Sequence, residues 1–210
     1  ATPFPARHLI DLASYHYTID GVASTSLIGQ LGCPYKCGFC AGRASPMLRN
    51  IRTRSDESIV EEMTFLCQRY GYRGFMFYDD ELNVNPKMVA LMQKIAQAQR
   101  DLGVEWKLRG FVKSERFTDE QAHAMFEAGF RQVLIGFESG SSRILENIQK
   151  IATRDDNSRC VEIAHRHGLK VKALMSLGHP GESNETIDAT RDWLFEVRPS
   201  DFDASIITPY

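Results

Sequence analysis

From residue 55 to residue 200 the chain repeats one pattern: apolar residues at every third or fourth position, a glycine, then a short consecutive apolar run. Ile59, Met63 and Leu66 mark one helical stripe, Met88, Leu91, Met92 and Ile95 a second, and Ala122, Met125 and Phe126 a third. The stretches stop at Gly71, Gly103, Gly129 and Gly168, where a helix C-terminus favours a left-handed residue. Pro86 is expected to open the second helix, where its missing N–H costs nothing, and Asp119 and Glu120 suit the positive end of the third. The runs after the stops, at 75–78, 106–108, 133–137 and 171–175, read as strands. With an earlier run at 25–31 and a later one at 204–207 they make six.

Strands alternating with helices predict an α/β fold with parallel pairing through right-handed crossovers. Several strands read as apolar on both faces, which a sheet covered by helices on one side and closed or stacked on the other requires. Six units fall short of a closed eight-fold barrel, so the expectation is a partial (β/α)6 barrel. Residues 21–210 form one domain in this reading, and 1–20 an approach or linker segment. Ligands of parallel α/β folds sit at the carboxyl ends of the strands. Those ends are expected at 32–45, 78–85, 109–114, 138–142, 176–182 and from 208 onward.

The chain has 210 residues, 43% of them hydrophobic and 25% charged, with a net charge of -2. That composition excludes disorder, collagen and coiled coil. Lys and Arg at 25 against Asp and Glu at 27 leave no basic excess for a phosphate backbone, so nucleic acid is not the expected partner. No run approaches the ~20 apolar residues of a membrane span, and the start carries no signal-peptide pattern. A cytoplasmic location is the expectation. Because the chain starts at Ala1 without a methionine, it is expected to be a piece of a longer one.

Of five cysteines, Cys33, Cys37 and Cys40 crowd together while Cys67 and Cys160 stand alone in helical patterns, as core cysteines do. The crowded segment reads Gly-Cys-Pro-Tyr-Lys-Cys-Gly-Phe-Cys, and its Gly and Pro residues describe a turning loop after the first strand. Three thiolates on such a loop can wrap one face of a cubane iron–sulfur cluster. A closed zinc site wants four ligands and no second C-x-x-C pair exists, though recruitment of His16 or His179 leaves structural zinc open. This C-x-x-x-C-x-aromatic-C motif, with Phe39 as its aromatic, resembles the signature of the radical S-adenosylmethionine (radical SAM) enzymes. The resemblance spans about residues 22–210. It implies a 4Fe-4S cluster on Cys33, Cys37 and Cys40, with one iron open to the methionine end of S-adenosylmethionine, and a six-unit partial barrel.

The other strand ends take roles from the same resemblance. Tyr78, Asp79 and Asp80 stand where the family grips the methionine amino group, although the segment departs from the Gly-Gly-Glu form; a solvated acidic turn with Glu81, Asn83 and Asn85 is the plainer alternative. Glu138 and Ser139 resemble the ribose-binding element, while Ser141 or Ser142 caps the helix that follows. Lys150 matches a basic position that pairs with the methionine carboxylate. Ser176 and Gly178 resemble the turn beside the adenine, with Ser176 where a branched apolar residue is usual. His179 reads as a turn residue with a catalytic or substrate role left open, and Arg109 either faces the cavity or is a surface charge. No residue is assigned as the catalytic acid, base or hydrogen donor.

The implied activity is reductive cleavage of S-adenosylmethionine to a 5′-deoxyadenosyl radical. Residues 5–12 resemble the linker of radical SAM enzymes that carry an upstream cobalamin-binding domain, which implies a cobalamin-dependent methyltransferase or related biosynthetic enzyme acting on a small molecule or peptide. Cobalamin itself is expected to be bound mainly by a domain outside this chain, and a flavodoxin- or ferredoxin-type protein to supply electrons. Two alternatives remain: a methylthiotransferase-like enzyme acting on transfer RNA, and a noncatalytic iron–sulfur electron-transfer module.

Overall fold

The computed structural model describes residues 3–208, so the end of the segment expected from 208 onward lies outside the described residues. In chain order the elements are β1 (Thr18–Ile19), β2 (Val22–Leu27), β3 (Gln30–Leu31), α1 (Pro46–Arg49), β4 (Arg52–Thr53), α2 (Asp56–Tyr70), β5 (Gly74–Phe77), α3 (Met88–Leu102), β6 (Lys107–Phe111), α4 (Asp119–Glu127), β7 (Phe130–Glu138), α5 (Ser142–Asn147), α6 (Arg154–Arg166), β8 (Lys170–Leu177), α7 (Asn184–Val197) and β9 (Asp201–Ile206). The sheet order is β1-β2-β5-β6-β7-β8-β9, with β1 antiparallel and the other six strands parallel. This curled sheet backed by helices is the partial barrel expected from the pattern.

The helices begin and end where local chemistry directs. Ser55 caps α2, and Thr118 with Gln121 and Thr153 with Asp156 form capping boxes on α4 and α6. All four predicted glycine stops have positive φ. Thr18 and Ile19, assigned from sequence to the approach segment, join the sheet as β1. Arg7 fastens the preceding chain by donating to Thr25 Oγ1 at 3.2 Å and the Ser26 carbonyl at 2.7 Å. It also pairs with Glu62 of α2 at 3.1 Å. Glu62 is 1% exposed and holds Arg54 as well, at 2.6 Å.

The core lies between sheet and helices, where Phe75, Phe77, Phe130, Phe137 and Trp106 are buried. Each such ring contributes roughly 1.5–3 kcal/mol on burial. The opposite, concave face differs from the expectation of strands apolar on both sides. Along β6 and β7 buried residues alternate with half-exposed ones, so that Arg109, Phe111, Gln132 and Leu134 line an open trough. The sheet is covered on one side by its helices and left partly wet on the other.

Two local expectations are corrected. The run at 25–31 is not one strand: β2 ends at Leu27, and Gly29 leaves the sheet to donate its N–H to Asp79 Oδ1 at 2.7 Å, so that Gln30 and Leu31 pair with β4 instead. Pro86 does not open α3. The Asn85 side chain accepts from the Lys87 N–H at 2.9 Å, which turns the chain before the helix starts at Met88.

Candidate cofactor site at the strand ends

The cysteine loop is tied down through its own amides, by one side chain and two main-chain carbonyls. Asp80 accepts the Gly32 N–H at 2.6 Å, Leu48 O accepts the Cys33 N–H at 2.9 Å, and Ile148 O accepts the Gly38 N–H at 2.5 Å. Gly32 has φ +98°, and a Cβ there would overlap the Asn50 carbonyl, so glycine is required at the foot of the loop. Arg43 crosses to Gly38 O at 3.2 Å and Gln149 at 3.0 Å. Phe39 packs on Ile144, Leu145 and Ile148 and lies edge-on to His179 with ring centres 5.7 Å apart.

Cys33 and Cys37 are half-buried and Cys40 is exposed. Burial pushes the Cys33 and Cys37 thiols up, while Lys113 opposes this at both and Lys150 does so at Cys37. Two lysines beside the loop suit a negatively charged thiolate cluster. Among the described residues no three His, Cys, Asp or Glu side chains converge on a single ion. A cubane binds each cysteine to a different iron and asks for no such convergence. The donor set therefore fits a three-cysteine cluster.

The carboxylates beyond β5 divide by role. Asp79, 2% exposed, holds Gly29, and burial pushes it up to about 6. Asp80 holds Gly32. Asp79 thus holds the chain where it leaves β2 and Asp80 holds the foot of the cysteine loop, each through one carboxylate oxygen. Glu81, which the sequence left within the plain acidic turn, has a buried Oε2 with no hydrogen-bond partner, and burial pushes it up to about 7 against the pull of Lys113 and Lys150. Glu115 also buries both carboxylate oxygens, but it is paired with Lys113, whose Nζ lies 3.2 Å from its Oε1. Lys113 itself is 4% exposed and sits 4.2 Å from the Tyr35 ring centre. Sequence reasoning missed Lys113 and Glu115; the only signal was their proximity to the end of β6. Tyr78 stands apart, 53% exposed, against Phe111.

At the end of β7 a register shift and φ +66° turn Glu138 back over the sheet. Its Oε1 accepts from Lys150 Nζ at 3.0 Å and its Oε2 from Ser176 Oγ at 2.8 Å. Lys150 also donates to the Gly136 carbonyl. A Cβ at Gly136 would lie 2.7 Å from the Glu138 carboxylate, so glycine leaves the room the fold-back needs. Ser176 Oγ meets His179 Nε2 at 2.7 Å. Since the single hydroxyl proton goes to Glu138, the imidazole must donate from Nε2. Burial lowers the His179 pKa, in keeping with a neutral ring. Glu138, Lys150, Ser176 and His179 are therefore one linked group, whose last member the sequence had left as a turn residue.

Ser139 points elsewhere. It is 1% exposed and meets Thr190 Oγ1 of α7 at 3.0 Å, while accepting the Ser141 N–H at 3.1 Å. Its side chain braces the turn and does not face the strand ends. Gly178 donates its N–H to the Glu182 carboxylate and adopts φ +92° at the head of the turn after β8. Cys67 and Cys160 are buried in α2 and α6, as expected. Among the described residues no helix is long and apolar enough to cross a membrane.

Residues 27–194 match the Radical SAM superfamily. An uncharacterized methyltransferase of Pyrococcus horikoshii is 30% identical over 99% of this chain and 44% of its own length. The cytidylyl-2-hydroxyethylphosphonate methyltransferase of Streptomyces wedmorensis is 28% identical over 93% of this chain and 38% of its own. The chain spans less than half the length of these curated relatives. Among solved structures, the radical S-adenosylmethionine methyltransferase TsrM from Kitasatospora setae, with cobalamin and a [4Fe-4S] cluster bound, superposes with a TM-score of 0.79 at 22% identity, covering 89% of this chain and 34% of that one. A three-cysteine loop at the head of a six-stranded partial barrel, matched over most of its length, places this chain in the Radical SAM superfamily.

Proposed function

We propose that the chain is the core of a cobalamin-dependent radical SAM methyltransferase, or a closely related biosynthetic enzyme, acting on a small molecule or peptide. The observation that carries the proposal is the meeting of the cysteine loop with Glu81, whose buried Oε2 has no partner, at one end of a parallel sheet. When bound, a reduced 4Fe-4S cluster and S-adenosylmethionine supply one-electron cleavage of the C5′–sulfur bond and so hydrogen abstraction from substrate, and cobalamin supplies a methyl carrier.

Cys33, Cys37 and Cys40 hold the cluster in this proposal. Glu81 takes the methionine ammonium, which matches its unmet need for a donor, and Lys150 faces the methionine carboxylate. A carboxylate has about four acceptor positions, so Glu138, with two engaged by Lys150 and Ser176, keeps two for the ribose hydroxyls. Gly178 leaves space beside the adenine, Phe39 walls the loop, and Tyr78 and Asp80 lie at the rim. Cobalamin belongs to an adjoining domain, since the methyltransferase relatives are more than twice as long as this chain, and the electron comes from a flavodoxin- or ferredoxin-type donor.

The test is anaerobic reconstitution followed by electron paramagnetic resonance of the reduced protein. Addition of S-adenosylmethionine is expected to shift the cluster signal, with 5′-deoxyadenosine formed on turnover. A signal indifferent to S-adenosylmethionine overturns the reading. Corrinoid retained by the longer protein tests the methyltransferase subclass separately.

A further inference from the structure

The concave trough carries charges that the cofactor site does not use. On β8, Lys172 is neutralised from the neighbouring strand by Asp201 at 3.2 Å and Asp203 at 2.8 Å. Arg109, at the middle of β6, is treated differently. Its register neighbours are Met76 and Gln132, neither of them acidic. Among the described residues no carboxylate forms an ion pair with it, its Nε is buried without an acceptor, and its polar neighbour is the Tyr17 hydroxyl. A half-buried guanidinium without a counter-ion is costly, because desolvation is not offset by attraction. The guanidinium fork also matches a carboxylate in both charge and shape.

The wall above Arg109 is aromatic. Phe111 lies on the same face two residues nearer the carboxyl end, about 6.6 Å along the strand. The Tyr78 ring stands 6.3 Å from it, tilted by 50°. The trough thus runs from a lone cation at its floor, past two rings, to the cysteine loop at its mouth.

We propose that Arg109 anchors a carboxylate of the substrate, whose flat apolar body lies against Tyr78 and Phe111 with its reacting carbon toward the cysteine loop. This assigns a substrate class, a carboxylic acid on a planar or aromatic frame, and it rests on the function proposed above. The carboxylate and the reacting carbon are separated by at least the two-residue distance between Arg109 and the strand end.

The probes are 3-(2-naphthyl)propionate and its neutral amide, titrated against the chain without cluster or S-adenosylmethionine and followed by ligand-observed NMR. The acid is expected to bind about tenfold or more tightly than the amide. Arg109→Met should abolish the preference and Arg109→Lys should keep part of it, with circular dichroism confirming that both fold. Phenylglyoxal should modify Arg109 in the free protein, and the acid should protect it. Equal affinity for acid and amide, a preference that survives Arg109→Met, or no binding of either probe overturns the proposal. Because the measurement involves neither cluster nor cosubstrate, its failure leaves the radical SAM reading standing, and failure of that reading leaves the anion site measurable.

Discussion

The Ser176 hydroxyl donates to Glu138 across 2.8 Å, and this bond joins β8 to the reversed end of β7. Without it the carboxylate rests on Lys150 alone. Ser176→Ala is expected to weaken S-adenosylmethionine binding about 5- to 20-fold, and Glu138→Ala about 10- to 150-fold, on the scale of one hydrogen bond to a charged group. Isothermal titration to the reconstituted protein measures both. Cluster content should stay level, and unchanged affinity in either folded variant moves the ribose contact elsewhere.

Each of Cys33→Ala, Cys37→Ala and Cys40→Ala should reduce iron and sulfide to near background after anaerobic reconstitution, whereas Cys67→Ala and Cys160→Ala should keep the full load. The two groups differ in place, a pinned loop against helix cores. Iron retained by any of the loop variants at the native level contradicts the ligand assignment.

Burial holds Asp79 up at about 6, against an ordinary value of 3.8. The folded chain therefore keeps a proton over a pH range in which the unfolded chain has lost it, so stability contributed by this group falls as pH rises from about 4 to 6. Asp79→Asn should flatten that slope. Urea midpoints at about pH 4.5 and pH 7 should lie closer together in the variant than in the native chain, and identical slopes refute the argument.

Glu62 stands between Arg7 and Arg54 and is almost fully buried. Removing it leaves two arginines without their shared partner. Glu62→Ala is expected to cost about 3 kcal/mol in urea unfolding, the low end for a broken buried pair because both arginines remain partly exposed. Limited proteolysis should also cut earlier near Arg7, since that residue fastens the leading segment. A loss below about 1 kcal/mol assigns the triad no structural weight.

The helices and parallel strands were legible because their signals are local. Gly71, Gly103, Gly129 and Gly168 stop helices through their own φ freedom, and the apolar runs lie within a few residues of the observed strands. What escaped depended on distant partners. The break after Leu27 reflects a bond from Gly29 to Asp79, 50 positions away. Asp80 and Ser139 read as cofactor candidates by position, yet their side chains are engaged with Gly32 and Thr190, at separations of 48 and 51. Glu81 lost to its neighbours for the converse reason: nothing in Asp-Asp-Glu says which carboxylate the fold will leave without a donor. The cysteine triplet stood out because its spacing is local to one short loop, and the cluster role proposed for it comes from the family resemblance of that spacing.

The anchoring of the cysteine loop bears on how the protein gains and loses iron. Ordering the residues from Cys33 to Cys40 out of a free chain costs on the order of 10 kcal/mol of backbone entropy. Here that loss is met during folding, by Asp80, Leu48 and Ile148 at the loop's own amides. In the proposed function, cluster capture then starts from a loop whose backbone is already ordered, and its free energy appears as affinity. On that proposal, a chain that loses its cluster is expected to keep the loop's backbone order and to be repaired by reassembly without refolding.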